Sequence, residues 1–493
     1  MSGGGGGKGK KGRGGLGGKS RGHAPVASAR LEGLPVEERG VYEAEIIGLS
    51  HDGEGVGRAN GFTLFIRGAV PGDRVRVRVT KLKKSFGYAE LVDLLEPSPD
   101  RVAPPCPIYD ACGGCQLQHL SYDAQLRWKR QTVVDSLTRI GKFAVRDDGN
   151  GEGIVVHPTW GMDEPWRYRN KVQVPIGERD GGLVGGFYAQ NSHDIIDMEA
   201  CLIQHEQGDA VVNAVKAIGR RLGIEAYNEA THRGLLRHVV VKVGFSTGDI
   251  MVVLITNGDV IPHRESWIRG IRETVPGVRS ICQNVNTEQT NVIFGDVTRV
   301  LWGEAYIYDY IGDIRFAISA RSFFQVNPVQ TEKLYRQALD YAALGGSETV
   351  IDAYCGIGTI SLFLAQRARR VYGVEIVGEA IADARRNAAL NGAGNVDFAV
   401  GRAEEIIPAW REQGIVPDVI VVDPPRKGCE PSLLDTMLAM RPERIVYVSC
   451  NPATLARDLR QLADGGYTVR EVQPVDMFPW TVHVECCSLL VRK

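Results

Sequence analysis

Over about the last 150 residues, short apolar runs alternate with helix-like stretches, and this alternation constrains the fold more than any other feature of the chain. A strand–helix–strand pattern of that kind builds a parallel sheet covered by helices on both faces, a doubly wound α/β domain. Four of the runs end on residues suited to chemistry. Val350-Ile-Asp-Ala-Tyr-Cys-Gly-Ile-Gly-Thr359 passes from a strand through a glycine turn into a helix, and Arg370-Val-Tyr-Gly-Val-Glu375 ends on an acid. Val416-Pro-Asp-Val-Ile-Val-Val-Asp423 runs into two prolines, and Arg444-Ile-Val-Tyr-Val-Ser-Cys450 runs into Asn451-Pro452. Parallel strands finish at one edge of the sheet, so these ends should meet around a crevice ligand.

The ligand class follows from the turn. Gly356 and Gly358 let the backbone approach a ligand at the start of a helix. Glu375 lies 23 positions after Asp352, a spacing that suits a carboxylate on ribose hydroxyls. The third glycine of the dinucleotide fingerprint is missing. A sulfonium ligand has no pyrophosphate and does not need it, so S-adenosylmethionine fits better than a nicotinamide dinucleotide.

The rest of the chain divides by pattern. Residues 1–30 are Gly-rich and carry Lys8, Lys10, Lys11, Arg13, Lys19, Arg21 and Arg30 without an acid, the composition of a disordered basic arm. Such an arm is either an inert tail or a source of non-specific affinity for phosphates. From Gly40 to Pro97, short alternating strands are broken by Asp52-Gly53, Asn60-Gly61 and Pro71-Gly72, which predicts a small OB-like β-barrel. Alternation sets Arg74, Arg76 and Arg78 on one face, with Lys81, Lys83 and Lys84 beyond them. That basic face is expected either to bind single-stranded nucleic acid or to be merely solvated. A helix is expected from an N-cap at Ser121 to Ile140, and mixed strands and helices from about 150 to 320.

Ten cysteines among 493 residues are too few for a disulfide-stapled scaffold, and the basic, Gly-rich start is not a signal peptide. No apolar run reaches the roughly 18–20 residues that span a bilayer. A reducing, cytoplasmic setting is expected, and clustered cysteines are read first as metal ligands or catalytic groups. With a formal net charge of −1, overall charge does not select a polyanionic partner. Nothing in the sequence marks a membrane attachment or an obligate protein partner.

Two long motifs carry a resemblance to a known family. Asp423-Pro-Pro-Arg-Lys-Gly428 is followed after sixteen residues by Ile445-Val-Tyr-Val-Ser-Cys-Asn-Pro-Ala-Thr454, and then by Val475-Asp-Met-Phe-Pro-Trp-Thr-Val-His-Val-Glu485. In these the chain resembles the RNA uracil-5 methyltransferases of the bacterial ribosomal and transfer RNA type, from about residue 40 onward. Trp480 departs from the family, which more often has a smaller or polar residue there, and it should affect packing or substrate fit. The resemblance implies four regions: the basic arm at 1–37, a TRAM barrel that binds RNA at 38–97, an iron–sulfur segment with a central α+β domain at 98–320, and an S-adenosylmethionine-binding catalytic domain of Rossmann-like, class I methyltransferase type at 321–493. It implies cofactor contacts at Gln325, Tyr354, Thr359, Glu375 and Asp423. Gln325 is placed by the segment Arg321-Ser-Phe-Phe-Gln-Val-Asn-Pro328. Arg402 falls where the family often has another contact, but with a different side chain.

The same resemblance assigns Cys450 as nucleophile and Glu485 as base. Carbon 5 of uracil is a poor nucleophile until a thiolate adds at carbon 6 and turns the ring into an enolate; a base must later take the carbon 5 proton so that the thiolate can leave. A polar crevice at a helix N-terminus is expected to promote the Cys450 thiolate. The alternatives are a small core cysteine and a salt-bridged strand glutamate. His483 would share a face with Glu485 if both lie in a strand. Phe323 or Phe324 is a candidate to stack on the target base, with a core role open to either. Cys355, Cys429, Cys486 and Cys487 are expected to pack.

Cys106, Cys112 and Cys115 form C-x5-C-x2-C, and Cys201 stands alone in Met198-Glu-Ala-Cys-Leu202. Three clustered thiols and a distant fourth suit an iron–sulfur cluster better than zinc, which more often has paired knuckles. The family resemblance implies a [4Fe–4S] cluster; zinc and unliganded thiols are the alternatives. Barrel and cysteine cluster together resemble the enzymes of 23S ribosomal RNA more than those of transfer RNA. A transfer RNA enzyme, a cytosine-5 methyltransferase and a non-catalytic RNA-binding iron–sulfur protein are the competing readings.

Overall fold

Alternating valines close the N-terminal strands on themselves. In a computed structural model that describes residues 33–146, 151–190 and 192–493, β1 (Val41–Leu49), β2 (Gly55–Ala59), β3 (Phe62–Ile66), β4 (Arg74–Leu82) and β5 (Gly87–Glu96) form a closed barrel in the order β1-β2-β3-β5-β4. Val75, Val77 and Val79 fill its interior with Leu64 and Ile66. Asn60 and Gly61, at φ 50° and 83°, make the two-residue turn between β2 and β3, which needs left-handed backbone at both positions. Val36 is buried in the barrel core, so the barrel's packing begins within the 1–37 stretch; the basic residues expected to form an arm lie outside the described residues.

The arginine row points outward, as alternation requires, but it is not an open basic face. Arg74 pairs with Glu43 at 3.0 Å and Glu96 at 2.7 Å, Arg76 with Asp93 at 2.8 Å, and Arg78 with Glu90 at 2.8 Å. The flanking strands β1 and β5 supply those acids in register, a cross-strand neutralisation that the reading of one strand does not reveal.

After the cysteine segment, α1 (Tyr122–Arg139) starts behind Ser121 and ends at Ile140. The short strands β6 (Val145–Arg146) and β7 (Ile154–Val156) follow and pair onto the C-terminal sheet, although they fall within the 98–320 stretch. The central region contains β8 (Lys171–Arg179), β9 (Gly182–Tyr188), β10 (Ile195–Asp197), α2 (Glu206–Arg221), β11 (Leu236–Val243), β12 (Ile250–Thr256), α3 (Arg264–Thr274), β13 (Val278–Val285) and β14 (Val297–Gly303). Its strands form a seven-stranded sheet in the order β10-β9-β8-β11-β12-β13-β14. The hairpin β15 (Ile307–Ile311) and β16 (Ile314–Ile318) then leads to α4 (Pro328–Ala342).

The C-terminal elements are β17 (Thr349–Ala353), α5 (Thr359–Ala365), β18 (Arg370–Glu375), α6 (Gly378–Leu390), β19 (Val396–Val400), α7 (Ala403–Glu412), β20 (Val419–Val422), α8 (Pro431–Met440), β21 (Arg444–Ser449), α9 (Pro452–Asp464), β22 (Tyr467–Val475) and β23 (Glu485–Arg492). They form a nine-stranded sheet with β6 and β7, in the order β19-β18-β17-β20-β21-β23-β22-β7-β6. β23 runs antiparallel to both neighbours, and strand order reverses between β17 and β20. That reversal opens a crevice at the strands' carboxyl ends. One face of this sheet shares a core with the central sheet through Val253, Ile255, Leu334 and Val446, while α1, α7, α8 and α9 cover the other. The whole is a mixed α/β protein with a barrel at its N-terminus. Among the described residues, no helix is long and apolar enough to cross a membrane.

Candidate active site

The crevice beside β17 is a cavity of about 580 Å3, within the range of small-ligand sites. Gln325, Tyr354, Thr359, Glu375 and Asp423, the five expected cofactor contacts, all line it. The glycine turn is held from the next strand: Glu375 accepts from Gly356 N at 3.3 Å and from Val377 N at 3.0 Å. Gly358 has φ 82°, and a Cβ there would meet the Phe398 ring at 3.0 Å, so the position has both a steric and a backbone reason for glycine. Tyr354 also holds left-handed backbone at φ 65°, which a bulky side chain rarely adopts; its hydroxyl donates to Glu404 at 3.1 Å. Thr359 meets the Tyr335 hydroxyl at 3.1 Å. Arg402 reaches the cavity wall but faces Glu404 and Glu405, each at 3.8 Å. Glu404 and Tyr335 were not singled out from the sequence, since neither lies in a strand-end motif.

Behind the cavity, Asp352 is fully buried, accepts from Ser361 Oγ at 2.5 Å, and has its pKa pushed up to about 7, mainly by burial. Burial likewise raises Asp423 to about 7. Gln325 comes from the loop between β16 and α4. That loop rests on Lys242, which donates to Ser319 O at 2.6 Å and Ser322 O at 2.7 Å from a completely buried position. Asn327 caps α4 and donates to Met477 O at 3.0 Å, which ties this loop to the segment before Glu485. Phe324 is buried in the core, whereas Phe323 is 64% exposed at the cavity rim.

Cys450 and Glu485 meet by strand register. Ser449 at the end of β21 pairs with Cys486 of β23, so the next positions, Cys450 and Glu485, face each other at the edge above the cavity. The Asn-Pro-Ala-Thr motif fixes this edge: Asn451 caps α9, and Asn451 Nδ2 and Thr454 Oγ1 both donate to Arg426 O, at 3.1 and 3.2 Å. Arg426 is thereby set beside Cys450, Glu485 and His483, and its charge is felt by all three. Sequence reasoning did not give Arg426 a role, although its place after two prolines at a strand end marks it.

The electrostatics correct one expectation. The crevice does not promote the Cys450 thiolate; burial and the nearby carboxylates of Glu485 and Asp423 push the thiol up to about 11, against which Arg426 works. Glu485 is buried, its carboxyl accepts no hydrogen bond among the described residues, and it is raised well above the usual carboxylate range by burial and by Asp423. His483 lies in the loop before β23 and packs edge-on against Phe478; burial lowers it to about 4, so its ring is neutral. Cys355, Cys429, Cys486 and Cys487 are buried and free, as packing residues should be.

Cys106, Cys112, Cys115 and Cys201 surround a second cavity of about 220 Å3, together with Arg169 and Lys171. Among the described residues, no three His, Cys, Asp or Glu side chains stand close enough to hold one metal ion. This segment packs directly on the loop before Glu485: Trp480 O accepts from Gln116 N and Leu117 N, both at 3.0 Å. The Trp480 ring is buried, stacks on Trp166 at 4.0 Å and donates to Pro165 O at 2.9 Å. Its departure from the family pattern is thus a packing feature that joins the loop to the Cys115–Ile203 cluster.

The chain is similar to known proteins over most of its length. The family described as tRNA (Uracil-5-)-methyltransferase matches residues 309–493, and the TRAM domain matches residues 35–92. An uncharacterised RNA methyltransferase of Halalkalibacterium halodurans is 61% identical over 459 residues, covering 93% of this chain and 98% of that protein. One from Listeria monocytogenes is 54% identical over 448 residues, covering 91% and 97%. The crystal structure of the Pyrococcus abyssi tRNA (uracil-54, C5)-methyltransferase, in complex with S-adenosyl-L-homocysteine, superposes with a TM-score of 0.72 at 30% identity, covering 91% of this chain and all of that one. The chain belongs to the TRAM-containing family of S-adenosylmethionine-dependent RNA uracil-5 methyltransferases.

Proposed function

We propose that the protein methylates carbon 5 of a uridine in 23S ribosomal RNA, through a covalent bond between Cys450 Sγ and carbon 6 that Glu485 helps to break. The carrying observation is the strand register that sets Cys450 against Glu485 beside the cavity holding Gln325, Tyr354, Thr359, Glu375 and Asp423. S-adenosylmethionine, bound there, supplies the methyl group. Cys450 passes its thiol proton to solvent water as Sγ bonds to carbon 6, and the ring electrons move onto the oxygen at carbon 4 as an enolate. Arg426 is the cation that favours the sulfur anion on this edge. After carbon 5 has gained the methyl group, Glu485 in its ionised form takes the carbon 5 proton, the double bond re-forms, and the thiolate leaves. A carboxylate raised by burial is a stronger base than one in water, which suits removal of a carbon-bound proton. Exposed Phe323 at the cavity rim is the ring available to stack on the target base; buried Phe324 is not.

We also propose that Cys106, Cys112, Cys115 and Cys201 hold a [4Fe–4S] cluster, a reading supported by their lining one cavity together. Methyl transfer contains no redox step, so the group serves structure here. Anaerobically purified protein should contain about four irons with matching sulfide; an active, iron-free protein holding zinc would overturn the assignment.

Transfer RNA is the second substrate reading, favoured by the 30% identity to the Pyrococcus abyssi enzyme, whose name specifies uracil 54 of tRNA. Mass-spectrometric mapping of 5-methyluridine in ribosomal and transfer RNA from a deletion strain separates the two. Loss from 23S RNA alone supports the proposal; loss from transfer RNA alone rejects it.

A further inference from the structure

The outer wall of the barrel has a second face, unlike the neutralised arginine row. Register sets Phe65 on β3 beside Tyr88 on β5, and Tyr88 beside Lys81 on β4. Leu64, Ile66 and Ala89 on the same strands are buried inside, so Phe65 and Tyr88 face outward and are half-buried. Phe86, in the turn between β4 and β5, packs edge-on against both rings, with centroids 5.4 Å from Phe65 and 5.7 Å from Tyr88. Phe65 and Tyr88 are themselves 5.8 Å apart. The turn that presents Phe86 also presents Lys83 and Lys84, and is closed by Lys83 N donating to Phe86 O at 2.8 Å. Among the described residues Lys81, Lys83 and Lys84 make no ion pair, while nearby Glu90 is taken by Arg78.

Three rings fixed against one another at the surface, beside three uncompensated cations, match what unpaired nucleotides offer: flat apolar faces and phosphates. A duplex hides its base faces within the stack, so the rings favour a single strand. A partner protein would need an acidic rim, and nothing on this face replaces that requirement. The barrel is also fixed relative to the chemistry. Arg67, just past β3, donates to Asp110 O of the cysteine segment at 3.0 Å, and the Asp52–Gly53 turn lies against Val482 near Glu485. A strand held on the barrel therefore has a defined offset from the cavity.

We propose that Phe65, Phe86 and Tyr88 are a stacking platform for unpaired bases of the RNA substrate, with Lys81, Lys83 and Lys84 holding its phosphates, so that the barrel grips RNA by this face and not by Arg74, Arg76 and Arg78. The proposal rests on the reading of the substrate as RNA, but not on which RNA or on the covalent mechanism.

The test uses the full chain and a fluorescein-labelled oligouridine of about 12 nucleotides, within the site size of such barrels. Phe65→Leu with Tyr88→Leu keeps an apolar cover over the barrel and removes two ring faces. Its affinity should fall about tenfold or more at fixed salt, with thermal unfolding and S-adenosylmethionine affinity unchanged. Tyr88→Phe, which keeps the ring, should bind as wild type. Replacing Lys81, Lys83 and Lys84 by Gln should flatten the slope of log K against log salt by about 2, at roughly 0.7 for each lost phosphate contact. Replacing Arg74, Arg76 and Arg78 by Gln should leave that slope alone. Wild-type binding by the leucine pair, or a slope that responds to the arginines and not the lysines, overturns the platform. Methyl incorporation into 23S RNA is assayed in parallel. If wild type fails there while the leucine pair still loses oligouridine binding, the substrate reading falls and the platform stands.

Discussion

Cys450 and Glu485 share one edge and one electrostatic environment, yet the proposed mechanism gives them different steps, so their variants should fail differently. Cys450→Ala should transfer no methyl group. Glu485→Gln can still add and methylate, but not eliminate, and should accumulate a methylated enzyme–RNA adduct that survives denaturing electrophoresis and vanishes in the double variant. Turnover of Glu485→Gln at the wild-type rate would assign the base elsewhere. The thiol's environment gives a second prediction. With its pKa near 11, Cys450 in the free enzyme is about one part in a thousand thiolate at pH 8. Alkylation by iodoacetamide should therefore rise about tenfold per pH unit from pH 8 to 10. Arg426 lowers that pKa, so Arg426→Gln must raise it and slow alkylation at each pH in that range. A labelling profile that levels off near pH 8 would contradict this environment.

At the scale of elements, the site depends on loops pinned by buried groups far away in sequence. Lys242 on β11 holds Ser319 and Ser322, and so the loop that delivers Gln325; burial and the charge of Lys171 lower its pKa to about 7. Lys242→Met fills the space but drops both hydrogen bonds. It should weaken S-adenosylmethionine binding by about 1.5–3 kcal/mol, the range for hydrogen bonds to a charged group, while leaving the thermal midpoint nearly unchanged. Glu375→Ala removes the hydrogen bond to Gly356 N of the glycine turn and the one to Val377 N, as well as any to ribose, and should cost at least as much. Calorimetry on RNA-free protein measures both, and wild-type affinity in either variant would dismiss its role. The strand ends, the glycine turn and the start of α1 behind Ser121 are local patterns, and they were legible. The Lys242 contact was not, because it joins positions about eighty residues apart through main-chain oxygens that carry no sequence signature.

Across the whole molecule, the cysteine segment, the loop Asp476–His483 and α1 form one junction behind Glu485. Asp476 is buried and accepts from Lys129 Nζ at 2.5 Å and the Tyr122 hydroxyl at 2.8 Å, while Trp480 O holds the chain beside Cys115. Cys115→Ser should lower the methyl-transfer rate and alter the near-ultraviolet dichroism of the Trp166–Trp480 stack, with S-adenosylmethionine affinity intact. Full activity with an unchanged spectrum would show that the junction does not position Glu485. The sequence by itself determined that Asp423 and Cys450 share one edge of the sheet, because parallel strands that end in them must finish together. It also determined the barrel, since alternating valines and Asn60-Gly61 specify strands and a turn locally. Only the tertiary structure decided which charges remain uncompensated, which of two adjacent phenylalanines is exposed, and whether Cys450 is a thiol or a thiolate. Those are properties of neighbours brought from other strands, and a charge, a ring or a proton responds to every group around it, whatever its distance along the chain.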